Sequence, residues 1–414
     1  MSLPRKKDAR PLNGESRVEG NSVVNEAMTS SEEVSRMPTW REVSLYFLLL
    51  GFINVGGPVA QITMMYNHMV ERRHWLSKER FVQIMAFCHM LPGPEALQVA
   101  IYVGYLKRKI WGGILAGLTF ILPGAVVMVV LSWLYVKYGQ LGPVNDFLYI
   151  LKPAVLGIIA AGIIKLTRAS IRSVFLAVLL IGAFLALRFA GINFLLILLA
   201  CGLLNLVATE TGASLRRART TLPVMVAGLG LALPFFGSRW FQMIWLFLKT
   251  GLFSFGGAYA SMAFLQQGAV EQHHWLSSGQ LLDGVALSVA TPGPFMLFTT
   301  FVGYVAGGLT GALIATFFVF LPSFVFVLGG ARYIESVRNN QRIQSFLAGV
   351  SAGVVGVIFV VSLDLIPAAL VGPPSFVVAA IAFLVIVLLK VDVAFVALGA
   401  MGTGILYAAT RAWI

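Results

Sequence analysis

The sequence predicts an all-α, polytopic membrane protein made of two homologous halves set in opposite senses. Three observations carry that expectation. Of 414 residues, 58% are apolar and 11% charged, against ~45–50% and ~25% in soluble domains. Thirteen apolar stretches follow one another, most of them near the ~20 residues a helix needs to span a bilayer. One pattern of residues also recurs 200 positions later in the chain.

Taken in order, residues 1–40 are polar, mixed in charge and without an apolar core. They read as a disordered cytoplasmic tail and not as a signal peptide. Apolar stretches then run at 45–62, 81–104, 110–137, 147–165, 172–190 and 191–209, which form an N-terminal repeat over 41–209. A linker, 210–239, holds an extra stretch at 221–236. The C-terminal repeat, 240–414, holds stretches at 240–262, 281–303, 309–330, 345–363, 375–389 and 392–410. Six segments plus one linking segment turn the second repeat upside down, an arrangement that recurs in secondary transporters.

The repeat is explicit. "GFINVGGPVAQITMMYNHMVERRHWLS" from Gly51 and "GLFSFGGAYASMAFLQQGAVEQHHWLS" from Gly251 share ten of 27 positions. Pro92-Gly93-Pro94 pairs with Pro292-Gly293-Pro294. After one deletion the offset becomes 199, and "AVLGI" from Ala154 meets "GVVGV" from Gly353.

Charge supports the inversion. The net charge of +13 sits mostly in short loops, where it encodes orientation more than an affinity for nucleic acid. Lys107-Arg108-Lys109 faces an uncharged loop in the second repeat, whereas 138–146 lacks Lys and Arg and its partner loop holds Arg332, Arg338 and Arg342. The N-terminus is expected inside and the C-terminus outside. One loop disobeys: Arg72, Arg73, Lys78 and Arg80 would lie outside if the first two segments both crossed fully. Re-entrant hairpins, broken at Gly56-Gly57-Pro58 and Pro92-Gly93-Pro94 and at their repeat partners, remove the violation.

Broken helices free backbone N–H groups, which at membrane depth must be buried in protein or line a wet cavity. The half-helices starting at Pro94 and Pro294 would each aim a positive dipole end at an anion. The candidate substrate site is therefore Gly56, Gly57, Pro92, Gly93 and Pro94 with Gly256, Gly257, Pro292, Gly293 and Pro294, and Gln98 one turn on as a donor. A tight turn is the plainer explanation of one Pro-Gly-Pro; two in matching positions favour a site.

Lys249, deep in "WFQMIWLFLKTGLFSFGG", and Lys152, in "LYILKPAVLGII", are the candidate cations. Snorkelling explains Lys152 better than Lys249. Glu95 follows Pro94 directly, and its repeat partner is Phe295. It serves either as a helix cap or as a proton-coupling acid, and Asp283 is a weaker candidate for the second role. Cys88, Cys201 and the five histidines form no metal or disulfide pattern, and Cys88-His89 reads as packing. No enzyme motif, nucleotide-binding loop or cofactor signature is present, so the chain reads as no enzyme and without a cofactor.

"GGPVAQI", "VERRHWLS", "LPGPEALQVAIYVG" and "LTFILPG" resemble the N-terminal half of the long, two-domain chromate ion transporter family. "FLKTGLFSFGGAYA", "WLSSGQLLDGVALSVATPGP" and "FVGYVAGG" look like its C-terminal half. The resemblance covers about 41–410. It implies a secondary transporter of the bacterial inner membrane that exports chromate on the proton motive force. Lys249 matches the family's "FLK-x-G" lysine, while Leu49 departs from it in the first half. A sulfate-like uptake permease and a passive anion channel remain the alternatives. The expected partners are the oxyanion, protons and lipid, not nucleic acid; a homodimer is compatible with the sequence.

Overall fold

The computed structural model describes residues 37–54, 58–139, 141–210, 238–255, 257–330 and 340–412. The linker stretch 221–236 and nearly all of the N-terminal tail fall outside them. The first repeat holds α1 (Trp40–Ile53), α2 (Pro58–Tyr66), α3 (Lys78–Cys88), α4 (Glu95–Tyr138), α5 (Gly142–Ser170), α6 (Val174–Arg188) and α7 (Phe194–Glu210). The second repeat matches them one for one. Its helices are α8 (Arg239–Leu252), α9 (Ala258–Leu265), α10 (Ser278–Val289), α11 (Phe298–Gly330), α12 (Gln341–Ala369), α13 (Pro373–Leu388) and α14 (Val393–Ala412). Five of these, α4, α5, α11, α12 and α14, are long and apolar enough to cross a membrane.

Equivalent sequence signals start equivalent helices. Ser77 caps α3 through the Arg80 amide, and Ser277 caps α10 in a capping box with Gln280. Both α2 and α9 loosen into π-helical turns, at Asn67–Arg72 and Gln266–Gln272. The long helices α4 and α11 each contain a reversal, at Arg108-Lys109 and at Gly307-Gly308, where Lys109 and Gly308 take positive φ of 56° and 62°. Each therefore has a short arm, 95–107 or 298–306, folded against a long arm. A Cβ on Gly104 would overlap the Gly112 carbonyl, and one on Gly303 the Gly311 carbonyl. Only glycine lets the two arms approach so closely.

The short helices also double back. Tyr46 of α1 stacks on His68, with ring centroids 3.9 Å apart, and its hydroxyl donates to the Met64 carbonyl. Residues before Asn54 and after Pro58 thus lie side by side, so the chain returns along α1. In the second repeat a Cβ on Gly268 would run into Leu246, which gives the same return along α8. The Phe87 and Tyr102 rings, 5.8 Å apart, close α3 onto the short arm of α4. At one end of the bundle the Arg108 guanidinium donates to the Pro38 carbonyl at 2.7 and 3.0 Å, which brings the start of α1 to the α4 reversal.

The repeats are interlocked. The long arms of α4 and α11 pack antiparallel, with Gly113 at Leu328 and Gly117 at Phe324. Helices α6 and α7 leave their own repeat to pack on α12, through Leu180–Gly356 and Cys201–Gly349. In return α13 and α14 pack on α5, through Ala379–Gly157 and Phe147–Gly404. Glycine and alanine at these crossings give the close backbone approach that drives helix association where apolar burial itself adds little. Outward, Leu118, Leu122, Val126 and Val130 form an exposed apolar stripe on α4.

Candidate functional site

Four chain breaks meet at one place. The Gly93 N–H donates to the Ser254 carbonyl at 3.2 Å, and the Gly293 N–H donates to the Asn54 carbonyl at 2.8 Å. Under the repeat these two bonds are images of each other. Gly93 and Gly293 hold φ of 121° and 106°, a region that side chains rarely adopt. A Cβ at Gly93 would overlap Ser323 Oγ, and one at Gly293 would press on Leu297 and on Gly124 Cα. Ser323 and Gly124 are themselves repeat partners.

The crossing is buried but not polar-saturated. Gln98 Nε2 donates to the Pro92 carbonyl at 2.6 Å, and Gln61 Nε2 to the Gly293 carbonyl at 3.3 Å. Gln98 Oε1, Ser323 Oγ and both polar atoms of the Asn54 side chain are buried without a hydrogen-bond partner among the described residues. Leaving such groups unpaired costs about 1–3 kcal/mol each. Their concentration where four backbone breaks converge marks a place prepared for a polar guest or for water.

A cavity of about 350 Å³ reaches this crossing from the end of the bundle that holds Arg108. On one side it is lined by His89, Gly93 and Glu95, and on the other by Gln344 and Ser351 in the first turns of α12. His89 Nδ1 lies 3.0 Å from Glu95 Oε2, and both side chains are partly exposed to the cavity. The sharp turn between α3 and α4 brings these two residues together.

The sequence candidates divide as follows. Pro92, Gly93, Pro94, Glu95 and Gln98 cluster at the crossing, as do Pro292, Gly293 and Pro294 on the opposite face. Gly257 caps α9 beside Ser254, to whose carbonyl its N–H donates. Gly56, Gly57 and Gly256 lie outside the described residues. Lys249 sits in the last turn of α8, short of the crossing, and does not line the cavity. Its ammonium has no hydrogen bond or ion pair among the described residues, and burial is partial. Lys152 is not free: its ammonium is 2.9 Å from Asp283, whose side chain is 4% exposed and also accepts from the Tyr135 hydroxyl at 2.8 Å.

Sequence reasoning passed over His89, Asn54, Ser323, Ser351 and Tyr135. A signal existed for some of them. Asn54 and Ser254 are polar residues at matching break positions, visible once the repeats are aligned. His89 and Glu95 are six residues apart, a spacing that brings side chains together only across a break and not along a helix.

The sequence profile described as "Chromate transporter" matches twice, over residues 41–206 and 241–405. A "Chromate transport protein" of Pseudomonas aeruginosa is 36% identical over 356 residues, 81% of this chain and 83% of that protein. One of the same description from Cupriavidus metallidurans is 33% identical over 341 residues, 80% of this chain and 84% of its own. An uncharacterized transporter of Methanocaldococcus jannaschii is 30% identical over 79% of this chain and 84% of its own. No solved structure matches the chain. The double profile match and these near full-length relatives establish that the chain is a multi-pass membrane protein belonging to the chromate transporter family.

Proposed function

We propose that this protein is a secondary transporter that carries chromate out of the cell across the inner membrane, driven by the proton motive force. The observation that carries the reading is the cavity at Glu95, which ends at Gly93, Glu95 and Phe255, at the N-terminus of α4 and beside the helix breaks. Helix N-termini at broken helices suit an oxyanion. The relatives named for chromate transport make chromate the first substrate to test.

The topology goes with it. The antiparallel long arms of α4 and α11 support two repeats that cross the membrane in opposite senses. The fold-back of α2 along α1, and of α3 on α4, supports re-entrant hairpins in place of full spans. The end carrying Lys107, Arg108, Lys109 and Arg342 is then cytoplasmic, and the cavity faces the cytoplasm.

Glu95 and His89 together supply the coupling. With no proton, one proton or two, the pair carries charge −1, 0 or +1. A dianion entering the cavity favours the more protonated states, and proton loss favours its departure. Lys249, without an ion pair among the described residues, adds a positive charge in the last turn of α8, ahead of the Ser254 break. The test is chromate uptake into everted vesicles. Uptake that an uncoupler abolishes supports the reading; flux indifferent to the uncoupler would make the protein a passive anion path.

A further inference from the structure

The two repeats place different chemistry at equivalent points. His89, Glu95 and Ser351 line the open cavity; their partners are Val289, Phe295 and Lys152. Gln83 corresponds to Asp283, and Leu347, another cavity residue, to Leu148. At the equivalent junction, between α5 and α10, these walls are closed. Leu148 is 3% exposed, and Lys152 of α5 is bound to Asp283 of α10 across the junction. Helices α5 and α10 are the counterparts of α12 and α3. If the far side opens as the near side is open here, Lys152 lies in the wall of the new cavity, where Ser351 lies now.

The donors there are set for an oxyanion. Lys152 Nζ reaches Asp283 Oδ1 at 2.9 Å, and Tyr135 Oη donates to Asp283 Oδ2 at 2.8 Å. An ammonium and a hydroxyl from the first repeat thus meet the two oxygens of one buried carboxylate, the first as an ion pair and the second as a hydrogen bond. A carboxylate presents the same acceptor-only pair of oxygens as one edge of a tetrahedral oxyanion. We propose that Lys152 and Tyr135 form a second oxyanion site on the far side of the crossing, occupied by Asp283 as an internal substitute while that side is closed. The anion that arrives displaces Asp283, and its departure lets the ion pair reseal. The proposal rests on the secondary-transporter reading given under Proposed function.

The experiment uses the full chain in cells, with Cys88 and Cys201 replaced and a single reporter, Leu148→Cys, probed from outside with a membrane-impermeant maleimide. Labelling should be slow in this background. Asp283→Asn leaves the half-buried Lys152 ammonium without its counter-charge, so the closed state is penalised and labelling should rise about tenfold or more. Added chromate should then slow it, and Lys152→Met in the same chain should abolish that protection. Tyr135→Phe, which removes one bond and no charge, should give a smaller rise and serves if Asp283→Asn does not insert. An unchanged labelling rate in both variants overturns the gate. Chromate protection that survives Lys152→Met overturns the ligand role. A second reporter, Leu347→Cys in everted vesicles, reads the near cavity: protection there without protection at Leu148→Cys sinks this inference alone, and protection at neither sinks the oxyanion reading with it.

Discussion

The α3–α4 turn of the first repeat and the α10–α11 turn of the second have nearly the same backbone and opposite chemistry. Both place a glycine of positive φ between two prolines, and both glycine amides bond a carbonyl of the other repeat. Yet the first turn carries His89 and Glu95 in an open cavity, whereas the second carries Val289 and Phe295, with an ion pair sealing its flank. The scaffold has stayed symmetric while the charged groups have been divided between the repeats. A carrier that binds on one side and releases on the other needs both features. Symmetry lets two states have similar energy, and asymmetric charge makes ligands bind them differently.

The largest effect should come from attacking what the repeats share. Gly93→Ala and Gly293→Ala each force a side chain into positive φ and into neighbouring atoms, at a cost of about 1–3 kcal/mol in strain alone. Both should abolish chromate flux and lower thermal stability by similar amounts. A strongly unequal loss would show that the two turns are not equivalent.

Next comes what they do not share. Glu95→Gln should cut proton-driven chromate flux about tenfold or more, a loss of coupling worth at least about 1.4 kcal/mol, while chromate binding persists and depends less on pH. Phe295→Leu, the matching change in the other repeat, should leave coupling intact. A role for Glu95 as a helix cap predicts instead a stability loss of up to ~1 kcal/mol with coupling unchanged, so flux at wild-type stoichiometry in Glu95→Gln vesicles would defeat the proton role.

Lys249→Met should weaken chromate binding about tenfold or less, since Lys249 lies outside the cavity lining and acts on an anion there only through its charge. Leu49→Lys, which restores the residue in the first repeat, should not rescue it. Wild-type affinity in purified Lys249→Met would leave Lys249 a structural residue.

The smallest perturbation tests the frame itself. Single cysteines at Gly139 and Asn340, at equivalent connections, should label from the outside and the cytoplasm respectively, with transport retained. Equal sidedness would end the inverted arrangement.

Much was legible in the chain before its fold. Composition placed it in a membrane, because the bilayer core leaves a backbone few structures other than apolar helices. The constant offset exposed the repeat, and Pro-Gly-Pro exposed the breaks, since proline and glycine act on the backbone locally. The resemblance to the chromate transporter family was readable from the same motifs. Tertiary structure alone decided the pairings. Lys152 and Asp283 are 131 positions apart, in different repeats, and no local rule says which helix faces they occupy. The exchange of α6 and α7 for α13 and α14 is of the same kind. Aligning two repeats tells which residues are equivalent; it does not tell which residues touch. Contact depends on how helices cross, and crossing is set by side-chain packing summed over whole surfaces. For that reason Lys152 read as a candidate free cation and His89 as packing, until the fold put each beside a carboxylate.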